Sequence, residues 1–202
     1  MSERYTLLSK VGKCILADGR TKEAVTLFGD MCVWNEGQYD EEHPDRLASQ
    51  HELVRAYQSN GQIKQAVELL EHVVAVRERT QDEEHPDRLV SQHVLAGAYE
   101  SNGQIEQAVE LLEYVVAVQE RTLDEEHPNR LASQHELARV YQSNGQIEQA
   151  VELLEYVVAV RERMLDEEHP DRLESQRALQ GIKMSIKAAT MENIFLSPPT
   201  PP

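Results

Sequence analysis

Aromatic residues are scarce in this chain of 202 residues. They make up 5% of it, with one tryptophan and two phenylalanines. A β-sandwich, which favours aromatic and β-branched strands, is therefore a poor fit, and the core must be aliphatic, as in helices packed on helices. Cysteine is nearly absent too: Cys14 and Cys32 both lie in apolar stretches. That excludes a disulfide framework and implies reduced core thiols in the cytosol. The start, "MSERYTLLSK", lacks an apolar h-region, and no run approaches membrane-spanning length. The expectation is a cytoplasmic protein. Basic residues are outnumbered, 20 against 36 acidic ones, for a net charge of −16. Such a surface repels phosphate backbones and anionic lipid. Nucleic acid and membrane are disfavoured as partners, and a basic or mixed-charge protein is favoured.

What the chain has in quantity is itself. "SNGQI" recurs at 59–63, 101–105 and 143–147, and "EEHP" sets His43, His85, His127 and His169 on the same 42-residue step. A fixed period of this size signals an array of stacked units.

One unit, residues 43–84, reads as two helices. Leu47, Leu53, Val54 and Tyr57 share one face of the first helix. Pro44 and Asp45 suit its start, with the acidic side chain as cap. Asn60-Gly61 ends it, because both residues tolerate a left-handed cap. Ile63, Ala66, Val67, Leu70, Val73, Val74 and Val76 then make a second amphipathic helix, closed by Arg77 and Arg79, whose charge complements a helix C-terminus. Such a hairpin cannot bury its apolar face alone.

Leu53, Tyr57, Gly61, Ile63, Ala66, Leu70 and Val73 have the spacing of a tetratricopeptide repeat, and the following units repeat it. The 42-residue period with its "HPD" or "HPN" loop resembles a longer subtype, found in kinesin light chains and in C-terminal arrays of fungal NOD-like receptors. The resemblance implies an all-α, right-handed tetratricopeptide-repeat superhelix. Its units would be 1–42, 43–84, 85–126 and 127–168, four helical hairpins followed by a capping helix at 169–192. A flexible proline-rich tail would occupy 193–202.

The end units depart from the pattern. Gly12 and Ile15 replace alanine and tyrosine in the first, and Phe28, Met31 and Trp34 make its second helix bulkier. Trp34 reads as a core or cap residue rather than a binding anchor. In the last helix Gln180 and Lys183 replace the counterparts of Ala138 and Tyr141, and "SIKAA" replaces "SNGQI", so no second helix follows. The exposed side has turned polar, as a terminal cap requires.

Catalytic chemistry finds little footing. "VGKC" lacks the glycine and hydroxyl residue of a phosphate loop. The four "EEH" triplets contain zinc-ligating types, but one catalytic site four times along a rod is implausible. No nucleophile has the support of a neighbouring base. The reading is a non-enzyme without cofactor or metal.

Units 85–126 and 127–168 differ at eight of 42 positions. Six lie on or at the start of the first helix. In that helix Ala48, Glu52, Arg55 and Gln58 vary as Val90, Val94, Gly97 and Glu100, then as Ala132, Glu136, Arg139 and Gln142. The stripe opposes the core and includes His51, His93 and His135, read as exposed groove histidines. In tetratricopeptide arrays this side lines the concave surface. With Arg177 these residues form the candidate groove, a line of donors suited to an extended peptide or protein segment carrying acidic groups. Variation along one stripe of a fixed frame points to recognition. A sensor module of a NOD-like receptor is the first reading, and a cargo or scaffold adaptor of the kinesin-light-chain kind is the second. A co-chaperone clamp of Lys, Asn and Arg is absent from the groove. The chain is expected to be a monomer or to self-associate weakly through the array ends.

Overall fold

The computed structural model describes the chain from residue 3 to 196, with side chains from 6 to 188. Among the described residues every regular element is an α-helix. They are α1 (Glu3–Ala17), α2 (Thr21–Glu36), α3 (Pro44–Ser59), α4 (Ile63–Thr80), α5 (Pro86–Ser101), α6 (Ile105–Thr122), α7 (Pro128–Ser143), α8 (Ile147–Met164) and α9 (Pro170–Leu196). Contacts divide the chain into two compact units, residues 1–111 and 112–202.

Each first helix starts the same way. His43, His85, His127 and His169 stand before α3, α5, α7 and α9, and each Nδ1 accepts the backbone N–H two residues on, at 3.1–3.2 Å. The cap is therefore the histidine, not the acidic side chain expected at Asp45. Only the backbone of the residue after proline is needed, so Asn129 serves as well as Asp87. Helices α1, α3, α5 and α7 are each followed by a glycine with positive φ: Gly19 (75°), Gly61 (74°), Gly103 (79°) and Gly145 (79°). Around Gly61, Gln62 N donates to Tyr57 O and Gly61 N to Gln58 O, the paired bonds of a Schellman cap. The same pair recurs at the other three turns.

In the first unit α2 packs on α3, α3 on α4 and α4 on α5, and α1 touches both α2 and α3. Helix α3 shows why one hairpin is not enough. Its Leu53 and Ala56 join Ala24, Phe28, Met31 and Cys32 of α2. Its Val54 joins Val67, Leu70 and Val74 of α4, with Leu95 and Ala98 of α5. Each buried Leu or Val contributes about 1.5–3 kcal/mol relative to exposure, and a lone hairpin would forfeit half of these contacts.

The first hairpin has its own solution to the shared packing problem. Phe28 stands where later units have Leu70, Leu112 and Leu154, and it is fully buried. A Cβ on Gly12 would lie 2.2 Å from the Phe28 ring, so the larger ring and the missing side chain go together. Trp34 is 39% exposed and meets Tyr39 edge-on, while Tyr39 stacks on His43 at 3.9 Å.

In the second unit α7 packs on α8 and α8 on α9, around Leu137, Ala138, Val140, Leu154, Val157 and Ile182. Lys187 occupies the place of Gly145, so nothing turns the chain and α9 runs past 192 to Leu196. The rest of the tail, 197–202, lies outside the described residues.

Tyr141 is buried, as expected of the repeat tyrosines, but Tyr57 and Tyr99 are only half-buried. The rings pack while the hydroxyls stay at the surface: Tyr99 Oη donates to Glu71 at 2.9 Å and Tyr141 Oη to Glu113 at 2.7 Å.

Candidate partner-binding surface

The first helices carry the stripe that varies between repeats, and the two units are taken separately. In the first unit, Arg55 and Val90 are exposed, and Ala48, Gln58, Val94, Gly97 and Glu100 are half-exposed. Three members behave differently from expectation. Glu52 is buried: α1 covers it, Lys13 Nζ lies 2.7 Å from its carboxylate and Ser9 Oγ donates to it at 3.3 Å. A helical wheel places Glu52 opposite the core of its own hairpin, but the wheel cannot show the preceding hairpin folding over it.

His51 is also not an exposed donor. Its Nε2 lies 3.1 Å from Ser91 Oγ, and that hydroxyl donates to Asp87 O at 3.0 Å. Burial, with Arg77 close by, lowers the His51 pKa to about 4. The ring is neutral at physiological pH and adds no positive charge. His93 is half-buried.

In the second unit Ala132, Arg139, Gln142 and Arg177 are exposed, with Glu136 half-exposed. Arg139 Nε donates to Glu136 at 3.1 Å, and Arg55 similarly lies 3.7 Å from Glu52. His135 is half-buried; burial, followed by Arg161, pulls its pKa down. The expected line of donors therefore reduces to arginines, two of them facing a glutamate one turn away.

Behind the stripe runs a set of buried donors that sequence reasoning missed. Arg77 Nη1 donates to Asp87 O, and Arg161 Nη1 to Asp171 O at 2.8 Å and to Ser175 Oγ. Asn35, one period before Arg77, donates to Asp45 O at 3.2 Å. In each case the end of a second helix clamps the start of the next first helix, ten residues on. The sequence suggests for Arg77 only a charge complementing a helix end, yet Arg77 and its counterpart Arg161 are 8% and 6% exposed. The signal available was the period itself, which sets Asn, Arg, Gln119 and Arg at one position, all able to donate.

The "EEH" acids have structural partners: Arg79 reaches Glu41 at 2.5 Å and Arg163 reaches Glu125 at 2.7 Å. Among the described residues no group of three or more His, Cys, Asp or Glu converges as a metal would require. Burial raises the Cys32 pKa to about 11, so that thiol stays protonated and unreactive. None of the helices among the described residues is long and apolar enough to cross a membrane.

Helical hairpins joined by recurring caps and turns, with most of the differences gathered on the first helices, define a helical-repeat array. The tetratricopeptide repeat family model matches residues 45–118 and 87–163, and the chain belongs to that family. It is similar to a solved structure from Podospora anserina, of nearly identical TPR-like repeats designated a kinesin light chain. The identity is 51% over 96% of this chain and 92% of that one, with a TM-score of 0.81. A variant of those Podospora repeats matches at 49% identity over 97% and 93%, with a TM-score of 0.83. BtubC from P. vanneervenii, at 14% identity and a TM-score of 0.70 over 96% of this chain and 82% of that one, shares the fold. No curated protein matches the chain.

Proposed function

We propose that the chain is a non-catalytic protein–protein interaction module of the cytoplasm, and that the first-helix faces of its repeats hold a peptide or protein segment. The observation that carries this reading is where the repeats differ. The histidine caps and glycine turns recur from unit to unit, whereas Ala48/Val90/Ala132, Arg55/Gly97/Arg139 and Gln58/Glu100/Gln142 change, and all nine are exposed or half-exposed. A fixed frame with altered surface positions suits recognition. Arg55 in the first unit, and Arg139 and Arg177 in the second, each suit an acidic group on a bound segment, and the acidic body discourages binding elsewhere.

Pull-down from lysate with the chain as bait, followed by affinity measurement on the captured partner, tests this. Arg55→Glu with Arg139→Glu should weaken that partner by about 2 kcal/mol, the scale of charged hydrogen-bonded contacts. Glu110→Lys with Glu152→Lys, on the second helices, is the control. Binding lost only in the control would place the site elsewhere.

The Podospora relative supports a second, finer reading, an adaptor of the kinesin-light-chain kind. The sensing array of a NOD-like receptor would use the same faces. Residues flanking the chain in its gene separate the two: a nucleotide-binding domain favours the receptor, and a heptad coiled coil favours the adaptor.

A further inference from the structure

The second unit has a cavity of about 460 Å³ between α7 and α8, with Glu120 reaching it from α6. That volume lies within the range of small-ligand sites. Leu137 and Tyr141 of α7 and Leu153 and Tyr156 of α8 give it an apolar wall. Gln134 also lines it and is 1% exposed. Its Nε2 donates to Glu120 at 2.9 Å, whereas its Oε1, buried as well, accepts nothing among the described residues. A buried acceptor without a donor is costly.

The charges around the cavity do not cancel. Among the described residues Arg130 is the cation of the lining, and it is committed to the wall. Its Nη1 donates to Leu123 O at 3.1 Å and its Nη2 lies 3.8 Å from Glu120. Glu152, on the lining too, is exposed and has no ion-pair partner among the described residues. Glu113, behind Tyr141, accepts the phenol hydroxyl at 2.7 Å, a neutral partner. Three carboxylates therefore stand against one guanidinium.

We infer that this cavity receives an arginine side chain from a basic protein segment. The aliphatic stem lies along Leu137 and Leu153, and the planar guanidinium stacks on a tyrosine ring. Its several donors reach both Gln134 Oε1 and the Glu152 carboxylate. Other side chains meet fewer of these demands. A carboxylate meets Glu120 and Glu152 and brings no proton to Gln134. An apolar side chain fills the wall but leaves Gln134 unpaired. Lysine has the charge but not the stacking plane. A net charge of −16 draws a basic segment toward the protein. The first-helix faces, whose arginines suit an acidic group, are a separate surface, so the two readings stand or fall apart.

The test is an NMR titration of the full chain with N-acetyl-arginine amide at physiological salt. Ring signals of Tyr156 and methyl signals of Leu153 should shift saturably. The lysine analogue should bind several-fold more weakly. Glu152→Gln should weaken arginine binding several-fold, and Gln134→Met, which removes the acceptor at similar volume, tenfold. Circular dichroism confirms that each variant is folded. If Gln134→Met does not fold, the half-buried Tyr156→Leu replaces it, with a several-fold loss expected. Arg55→Glu with Arg139→Glu should leave arginine binding within twofold, which separates this site from the first-helix faces. No saturable shift at Tyr156 and Leu153 would overturn the inference. So would binding indifferent to these variants, or equal binding by the lysine or glutamate analogue.

Discussion

Lys183 Nζ lies 2.6 Å from Glu155 Oε1, 28 residues earlier in the chain. Tyr141 makes the corresponding contact with Glu113, and Tyr99 with Glu71, over the same separation. The last repeat has thus exchanged an aromatic ring for an amine while keeping its glutamate partner. The exchange removes the ring and keeps the bridge between helices.

That comparison separates ring from hydroxyl. Tyr141→Phe should cost about 1 kcal/mol, one partly exposed hydrogen bond to a carboxylate. Tyr141→Ala should cost about 3 kcal/mol or more by leaving a cavity. The half-buried Tyr99 should lose less on truncation to alanine than the buried Tyr141. Urea denaturation of the three variants checks the order.

The histidine caps make a second prediction. His85→Ala removes the acceptor for Asp87 N–H and should cost about 1 kcal/mol, with faster hydrogen exchange in the first turn of α5. His85→Asn should restore most of the loss, since asparagine is a good cap. Equal loss in both variants would mean that the ring acts through packing instead.

Much of this architecture was legible in the sequence. Gly61, Gly103 and Gly145 marked the turns because few other residues accept positive φ. Pro44 and its counterparts marked the starts, and the apolar positions of α4 marked its buried face. What escaped notice depended on the neighbouring hairpin. Glu52 is covered by α1, His51 is held by Ser91 of α5, and Arg77 crosses to the start of α5. A helical wheel treats each helix alone, so a polar residue facing away from its own partner reads as exposed. The histidine cap was missed for another reason: histidine is not among the preferred cap residues, and aspartate two positions on is.

Acid should loosen the array through its inward histidines. His51 has a pKa of about 4 in the folded chain against an ordinary 6.5, and His135 is shifted in the same direction. Below pH 6.5 the unfolded chain takes up protons that the folded chain refuses. Stability from these sites is therefore complete above about pH 6.5 and is lost as pH falls toward 4. The expected loss is on the order of 1–3 kcal/mol over that window. His51→Gln should flatten part of the curve in chemical denaturation at pH 7, 5.5 and 4.5. An unchanged slope would show that the ring titrates freely in the folded state.

The buried clamp gives the sharpest test of how the repeats are joined. Arg161 bonds the Asp171 carbonyl and the Ser175 hydroxyl, while Gln119 holds the equivalent place one period earlier. Glutamine is neutral and shorter, yet it too is buried at 5%. The site therefore accepts a neutral side chain at that depth. Arg161→Ala leaves the start of α9 without its bond and opens a void, and should cost about 2–3 kcal/mol. Arg161→Gln should cost less than half as much, because it removes the expense of burying a cation along with part of the bond. The loss should be local: hydrogen exchange should quicken at the start of α9 and leave α3 and α4 unchanged, as nearest-neighbour stacking demands. Equal destabilisation by alanine and glutamine, or quickened exchange in α3, would show that Arg161 is not a local clamp.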